Sequence, residues 1–283
     1  MAPGWKFNIK RLSCIALLLL VAIIIKMTFA HSGHSNQQNH PANMQFQENE
    51  AAAPEWKVEF DKADDLIEKR EIEASTLPEA ISILTRLTRR FPNVANIWAL
   101  LAKGYYYSGR LSTGKPKMLD DYQRGLSAAQ RSVAINPNNA EGNFWYGVNL
   151  GRISTTRWGF SQLKNVKEII FRMRRVIEID PDFGDGAPYI VLGRVYLETP
   201  GRPFSIGSRQ KALQNLKKAL EIKPSYYETH FYLMELYELE GKRELASMEA
   251  DWLIKDGFHN SYPISAHTIK RKAQEILAKY RGK

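Results

Sequence analysis

Four prolines, Pro92, Pro137, Pro181 and Pro224, stand 45, 44 and 43 residues apart, and each closes an apolar helical stretch: LTRRFP, SVAINP, VIEIDP and ALEIKP. Proline has no backbone N–H to give and its ring collides with the turn before it, so a helix ends ahead of each one. Recurrence at this period marks a helical array. The residue after each proline is Asn93, Asn138, Asp182 or Ser225. Such side chains accept the free N–H groups at a helix start, and each is expected to cap the helix that follows.

Between successive prolines the marks of two helices repeat. In residues 185–224 the first helix carries Leu192, Gly193 and Tyr196, and the second carries Ala212, Leu216 and Ala219. Trp98, Leu101, Ala102 and Tyr105 stand likewise in the first period, Tyr146, Gly147 and Leu150 in the next, and Leu233, Met234 and Tyr237 in the last. The second helices give Ala80, Leu84 and Leu87; Gly125, Ala129 and Ser132; and Ala246, Ala250 and Leu253. Small residues at these places predict close helix crossings. Between the helices lie long elbows at 108–120, 154–161 and 198–207, rich in Gly, Pro and Ser.

The set W-x2-L-A-x2-Y at Trp98 to Tyr105, with Ala212, Leu216, Ala219 and Pro224, resembles the tetratricopeptide repeat, a helix-turn-helix unit of about 34 residues. The resemblance covers roughly residues 56–254 and implies an all-α, superhelical array of helix hairpins. Only the unit from Tyr227 has the standard span; earlier ones are expected to hold about seven to eleven extra residues in their elbows. The elbows, and above all DGAPYIVLGRVYLETPGRPFSIG ahead of KALQNLKKALEIKP, look like the T-component of TRAP-type transporters, periplasmic helical-repeat proteins that associate with a substrate-binding protein. A more distant likeness is to eukaryotic regulators of microtubule dynamics with similar repeats.

Ahead of the repeats, residues 1–30 read as a signal peptide or signal anchor: Lys6, Lys10 and Arg11, then an apolar run from Cys14 to Ile25. The positive end stays in the cytoplasm, so the folded part is expected outside it, periplasmic or membrane-anchored. Residues 31–55 read as a flexible polar linker; His31, His34 and His40 in it lack the spacing that would fix a metal geometry. The formal charge is +10, but Lys6, Lys10, Arg11 and Lys26 belong to the leading segment, which leaves +6 spread along the helices and no nucleic-acid motif. The single cysteine, Cys14, precedes the repeats. It removes disulfides and cysteine-held metals from the folded part, and it sits ahead of the apolar run, unlike a lipoprotein cysteine.

No nucleophile elbow, His-Glu-x-x-His or Walker loop is found, so no enzyme activity and no cofactor are expected. Gly184, Gly186 and Gly193 resemble a dinucleotide fingerprint only superficially, since no strand precedes them, and close helix packing accounts for them. His230 falls at a repeat position that packs against a neighbour, and His259 stands isolated. The residues one turn from the packing marks are expected on the concave face: Lys103, Tyr106, Phe144, Val148, Arg152, Ile190, Arg194, Phe231 and Glu235. Aromatic surface with arginines suits an extended peptide or a hydrophobic ligand carrying an anionic group; filling of this face by the elbows is the alternative. A second candidate surface is the elbow set Arg157, Trp158, Phe160, Arg202 and Phe204. Residues 258–283 read as a capping helix with Ile269, Ala273, Ile276 and Leu277 on one face. The expected function is a non-catalytic envelope module. Its partner would be another protein, such as a solute-binding or transport subunit, or a hydrophobic ligand; the alternative is an assembly scaffold that uses the elbows.

Overall fold

The computed structural model describes residues 53–280 apart from 72, 74, 156–161, 202–205 and 258–265. The described residues form eleven α-helices and no strand: α1 (Lys57–Glu68), α2 (Thr76–Arg90), α3 (Ala95–Leu111), α4 (Lys115–Ile135), α5 (Ala140–Thr155), α6 (Gln162–Ile179), α7 (Phe183–Glu198), α8 (Arg209–Ile222), α9 (Tyr227–Leu239), α10 (Arg243–Lys255) and α11 (Ala266–Tyr280). They pair as five hairpins, α1 with α2 through to α9 with α10, and the first helices of successive hairpins touch. Helix α11 packs on α10 as a cap, burying Ala266, Ile269, Ala273 and Ile276. Among the described residues no helix is long and apolar enough to cross a membrane. The leading segment, the histidines of the linker and His259 lie outside the described residues.

The proline period is obeyed at every repeat: α2, α4, α6 and α8 end at Arg90, Ile135, Ile179 and Ile222, each two residues ahead of its proline. The caps shift. Each residue after a proline sits in the turn, and the helix start falls on the next residue or later. Val94 and Tyr226 hold the cap positions with no side-chain bond, while Asn139, rather than Asn138, accepts the Gly142 N–H at 2.6 Å. Asn138 and Asp182 instead give their backbone N–H to Asn136 and Asp180 side chains, turns that use up the proline corner locally.

All twelve small or apolar marks of the second helices are buried, from Ala80 to Leu253. Close crossing is real at Gly193, where a Cβ would meet Leu216 Cγ at 2.6 Å. Gly184 and Gly186 have another role than packing. With Asp185 they adopt left-handed backbone, φ 53°, 85° and 56°, so the chain corners before it resumes as helix near Ala187, and Asp185 is held there by Lys223 at 3.2 Å.

The elbows differ from one another. Between α7 and α8 the described residues, 199–201 and 206–208, are non-helical, in keeping with the elbow expected there. Between α3 and α4 only residues 112–114 are non-helical; the extra residues lengthen both helices instead, to 17 and 21 residues. Pro116 permits this because it lies in the first turn of α4, where a helix has no use for the missing N–H.

Thr229 is fully buried and its hydroxyl has no hydrogen-bond partner among the described residues. Valine has the same shape without the stranded hydroxyl, so Thr229→Val is expected to stabilise the fold by about 1 kcal/mol and raise Tm by about 2–4 °C. Thermal melts of the two proteins check this; a lower Tm for the valine variant contradicts it.

Candidate concave face

The first helices present one side to the inner face, and the nine residues predicted there divide into three groups. Tyr106, Phe144 and Ile190 are buried, at 9 %, 8 % and 4 % exposure. They form the floor rather than the lining: Tyr106 packs on Trp145 at 5.3 Å between ring centres, and Phe144 on Phe183 at 5.1 Å. Stacked hairpins bring Tyr106 and Phe144 against the next first helix, which single-helix spacing does not report.

Lys103 and Glu235, at the two ends of the row, are drawn into ion pairs with flanking helices. Lys103 Nζ lies 2.7 Å from both Asp64 and Glu68 of α1, and Glu235 is met by Lys272 of the capping helix at 2.5 Å. Burial alone would push the Glu68 carboxyl up, but the hydrogen bond and charge of Lys103, helped by Arg70, hold it below the ordinary range. Burial likewise opposes the Lys103 ammonium, which its two carboxylates hold above its usual value. Glu141, set deeper beside this cluster, is pushed up by burial.

Val148, Arg152, Arg194 and Phe231 remain half-buried in the middle. Arg152 Nη2 donates to the Tyr106 hydroxyl at 3.2 Å, and its guanidinium lies 5.7 Å from that ring. Arg194 keeps 30 % of its surface exposed, pairs with Glu198 at 2.8 Å and lies 5.8 Å from the Tyr232 ring.

The structure adds a residue that pattern reading passed over. Arg110 stands 6.0 Å from the same Tyr106 ring, and Arg110, Arg152 and Arg194 recur at intervals of 42 residues. That regularity is present in the chain but does not follow the packing marks, which recur at slightly different intervals. Counted from Ala102, Gly147 and Gly193, the arginines lie eight, five and one residue on. At about 100° per residue they therefore share one face at different heights.

Around these arginines stand Tyr107, Tyr226, Tyr227, Tyr232 and Glu228, all half-buried. Burial pushes the Tyr107, Tyr226 and Tyr232 phenols up, so they stay neutral. Burial opposes the Arg110 and Arg194 guanidiniums, yet the tyrosine oxygens with Glu228 and Glu198 respectively hold both above the usual arginine value. The face therefore holds permanent cations beside neutral hydroxyls, in a partly dehydrated setting.

His230 is part of the core. Its Nε2 donates to the Pro224 carbonyl at 2.7 Å, Nδ1 faces Glu249 at 2.6 Å, and the ring stacks on Trp252 at 3.5 Å. No cluster of metal-binding side chains occurs among the described residues. The elbow set Arg157, Trp158, Phe160, Arg202 and Phe204 lies outside the described residues.

Residues 60–198, just under half of the chain, match the family model described as regulator of microtubule dynamics protein 1-3. No curated protein sequence matches the chain. Among solved structures, a thermophilic tetratricopeptide protein from Thermus thermophilus superposes with a TM-score of 0.59 at 15% identity, covering 79% of this chain and 99% of that one. PilF of Pseudomonas aeruginosa gives 0.53 at 14% identity, covering 81% and 95%. The chain is thus similar in fold to tetratricopeptide proteins, and the array is all-helical as its periodicity predicts.

Proposed function

We propose that this chain is a non-catalytic binding module that holds a partner protein along the concave face of its hairpin array. The observation that carries this reading is the half-buried row of Arg110, Arg152, Arg194, Tyr232 and Phe231. It joins apolar surface to fixed cations on successive first helices. Such a surface offers an extended segment both aromatic contact and charge-assisted hydrogen bonds. The name of the matched family, which speaks of regulating another structure, supports a protein as the partner.

The leading segment supports a location at a membrane, with the array on the side away from the cytoplasm. The likeness of residues 182–224 to T-components supports the narrower reading of a transporter accessory protein with a solute-binding or membrane subunit as its partner.

Purification from native membranes in mild detergent, with mass spectrometry of what accompanies the chain, tests the reading when wild type is compared with two variants. Phe231→Ala on the concave face is expected to lose the companion protein, and Trp158→Ala in the elbow to keep it. The reverse pattern would establish the scaffold that works through its elbows.

A further inference from the structure

We infer that the outer face of α6 and α8 is a docking surface for an anionic lipid bilayer, with Phe171 entering the headgroup layer among Lys164, Lys167, Arg174, Arg209 and Lys211. The inference rests on the reading that the array works at a membrane, and it is independent of what the concave face holds.

The first observation is an exposed aromatic ring framed by cations. Phe171 keeps 55% of its surface in water. Lys164, Lys167, Phe171 and Arg174 follow one another at spacings of three, four and three, and all four are exposed. They therefore form one stripe about 15 Å long on the outer side of α6. The stripe adjoins α8. Arg174 Nη2 donates to the Tyr196 hydroxyl at 3.3 Å, and Lys211 Nζ lies 5.5 Å from the same ring, so one tyrosine of α7 seats a cation from the second helix on either side.

The second observation is charge without counter-charge. The acids of these two helices, Glu168, Glu178 and Glu221, are paired with Arg172, Arg175 and Lys218. Among the described residues Lys164, Lys167, Arg174, Arg209 and Lys211 are in no ion pair. Their placement also runs against local preference. Lys164, Arg209 and Lys211 stand in the first turns of α6 and α8, which hold no acid, whereas α2 and α10 put Glu79 and Glu244 there. The positive end of a helix dipole disfavours cations. Nothing within the array calls for these charges, and an anionic surface outside it does.

The third observation is reach. Residues 31–55, read as a flexible polar linker, have a root-mean-square span of about 25–30 Å. A leading segment held in a bilayer thus keeps the array near that bilayer at an effective concentration of about 1 mM, where weak attraction suffices. Cations spread along a stripe with an apolar ring among them match a bilayer better than a single anion. The basic side chains meet the headgroups and the ring enters the layer beneath.

The test uses the 283-residue chain reconstituted in vesicles of phosphatidylcholine, alone or mixed with phosphatidylglycerol. Flotation with phosphatidylcholine reports the leading segment. Energy transfer from a dye at Gln214→Cys, on the exposed side of α8 and in a Cys14→Ser background, to a rhodamine lipid reports docking of the array. Transfer is expected to rise with phosphatidylglycerol and to return to the phosphatidylcholine level in high salt. Lys167→Gln, Arg174→Gln and Lys211→Gln are each expected to lower the docked-to-undocked ratio about fivefold, and Phe171→Ala to lower it by about as much. Lys255→Gln, whose lysine is paired with Asp251 on α10, changes nothing. Lys167→Arg keeps the cation and retains the docking, which separates a lost charge from a lost fold.

Equal transfer in the two lipids overturns the inference, as does an equal loss in the Lys255 variant. It is also overturned if inorganic phosphate abolishes docking while sodium chloride of the same ionic strength does not, since the face would then hold a free anion. If the chain floats with phosphatidylcholine yet transfer ignores phosphatidylglycerol, the leading-segment reading stands and the docking inference falls. If it floats only with phosphatidylglycerol and the glutamine variants abolish this, the docking stands and anchoring by the leading segment falls. If it floats with neither, both fall.

Discussion

Gly193→Val is expected to destabilise the array by about 3 kcal/mol, the upper end of the usual cost of overpacking a core. The Cβ of any residue there would stand 2.6 Å from Leu216 Cγ and 2.7 Å from its Cδ2. Leu216 is fully buried, and its branching carbon has nowhere to turn. The gain of about 1 kcal/mol from replacing a helical glycine, available to alanine and smaller for valine, does not offset the clash. Chemical denaturation measures the effect, and Leu216→Ala identifies its cause. In that background the valine occupies the vacated space, so the double variant is expected to be more stable than the sum of the single losses by about 1 kcal/mol or more. Additive losses would mean that the clash with Leu216 is not the reason. Gly114 supplies a control: a Cβ there meets nothing within 4 Å and its φ is −102°, so Gly114→Ala is expected to be near neutral.

The second large effect is electrostatic and depends on pH. Lys103→Met removes the cation between Asp64 and Glu68 and is expected to cost about 2 kcal/mol at pH 7. That is less than the 3–5 typical of a buried pair, because the two carboxylates keep 43% and 59% of their surface in water. In the wild type Glu68 is held below its ordinary value. Its share of the stability is therefore present above about pH 4.5 and lost as the pH falls through the folded-state value. Lys103 is held above its ordinary value of 10.5, so its share is present below that and lost as the pH rises through the folded-state value. In the methionine variant the burial that acts on Glu68 is unopposed by Lys103, and protonation relieves it. The difference between the two proteins should thus shrink from pH 7 to pH 4 in urea melts. A constant difference would mean that lost packing of the lysine stem, rather than its charge, sets the cost.

The two predictions stand on opposite sides of what a single chain can reveal. Gly193 and Leu216 could be paired from sequence because both lie on stripes set by helical periodicity, and the proline period says which helices are neighbours. The same local logic placed every second-helix mark in the core and gave α11 its buried face of Ile269, Ala273 and Ile276. Lys103 and Glu235 show the other side. Each has the right helical angle to line a groove, yet their partners stand 39 and 37 residues away, on helices whose approach only the stacking decides.

By itself the sequence determined the all-helical class, the helix ends ahead of Pro92, Pro137, Pro181 and Pro224, and the close crossings, because backbone geometry and side-chain size act within a few residues of their cause. The tertiary structure decided the rest. Stacking set Tyr106, Phe144 and Ile190 into the floor, and flanking carboxylates claimed Lys103. The residues expected between α3 and α4 were drawn into longer helices, whose added turns bury Gly109, Asp121 and Tyr122. Above all it brought Arg110, Arg152 and Arg194 onto one face. A side chain's angle about its own helix is local, but whether neighbours cover it, neutralise it or leave it open depends on contacts between residues distant in the chain.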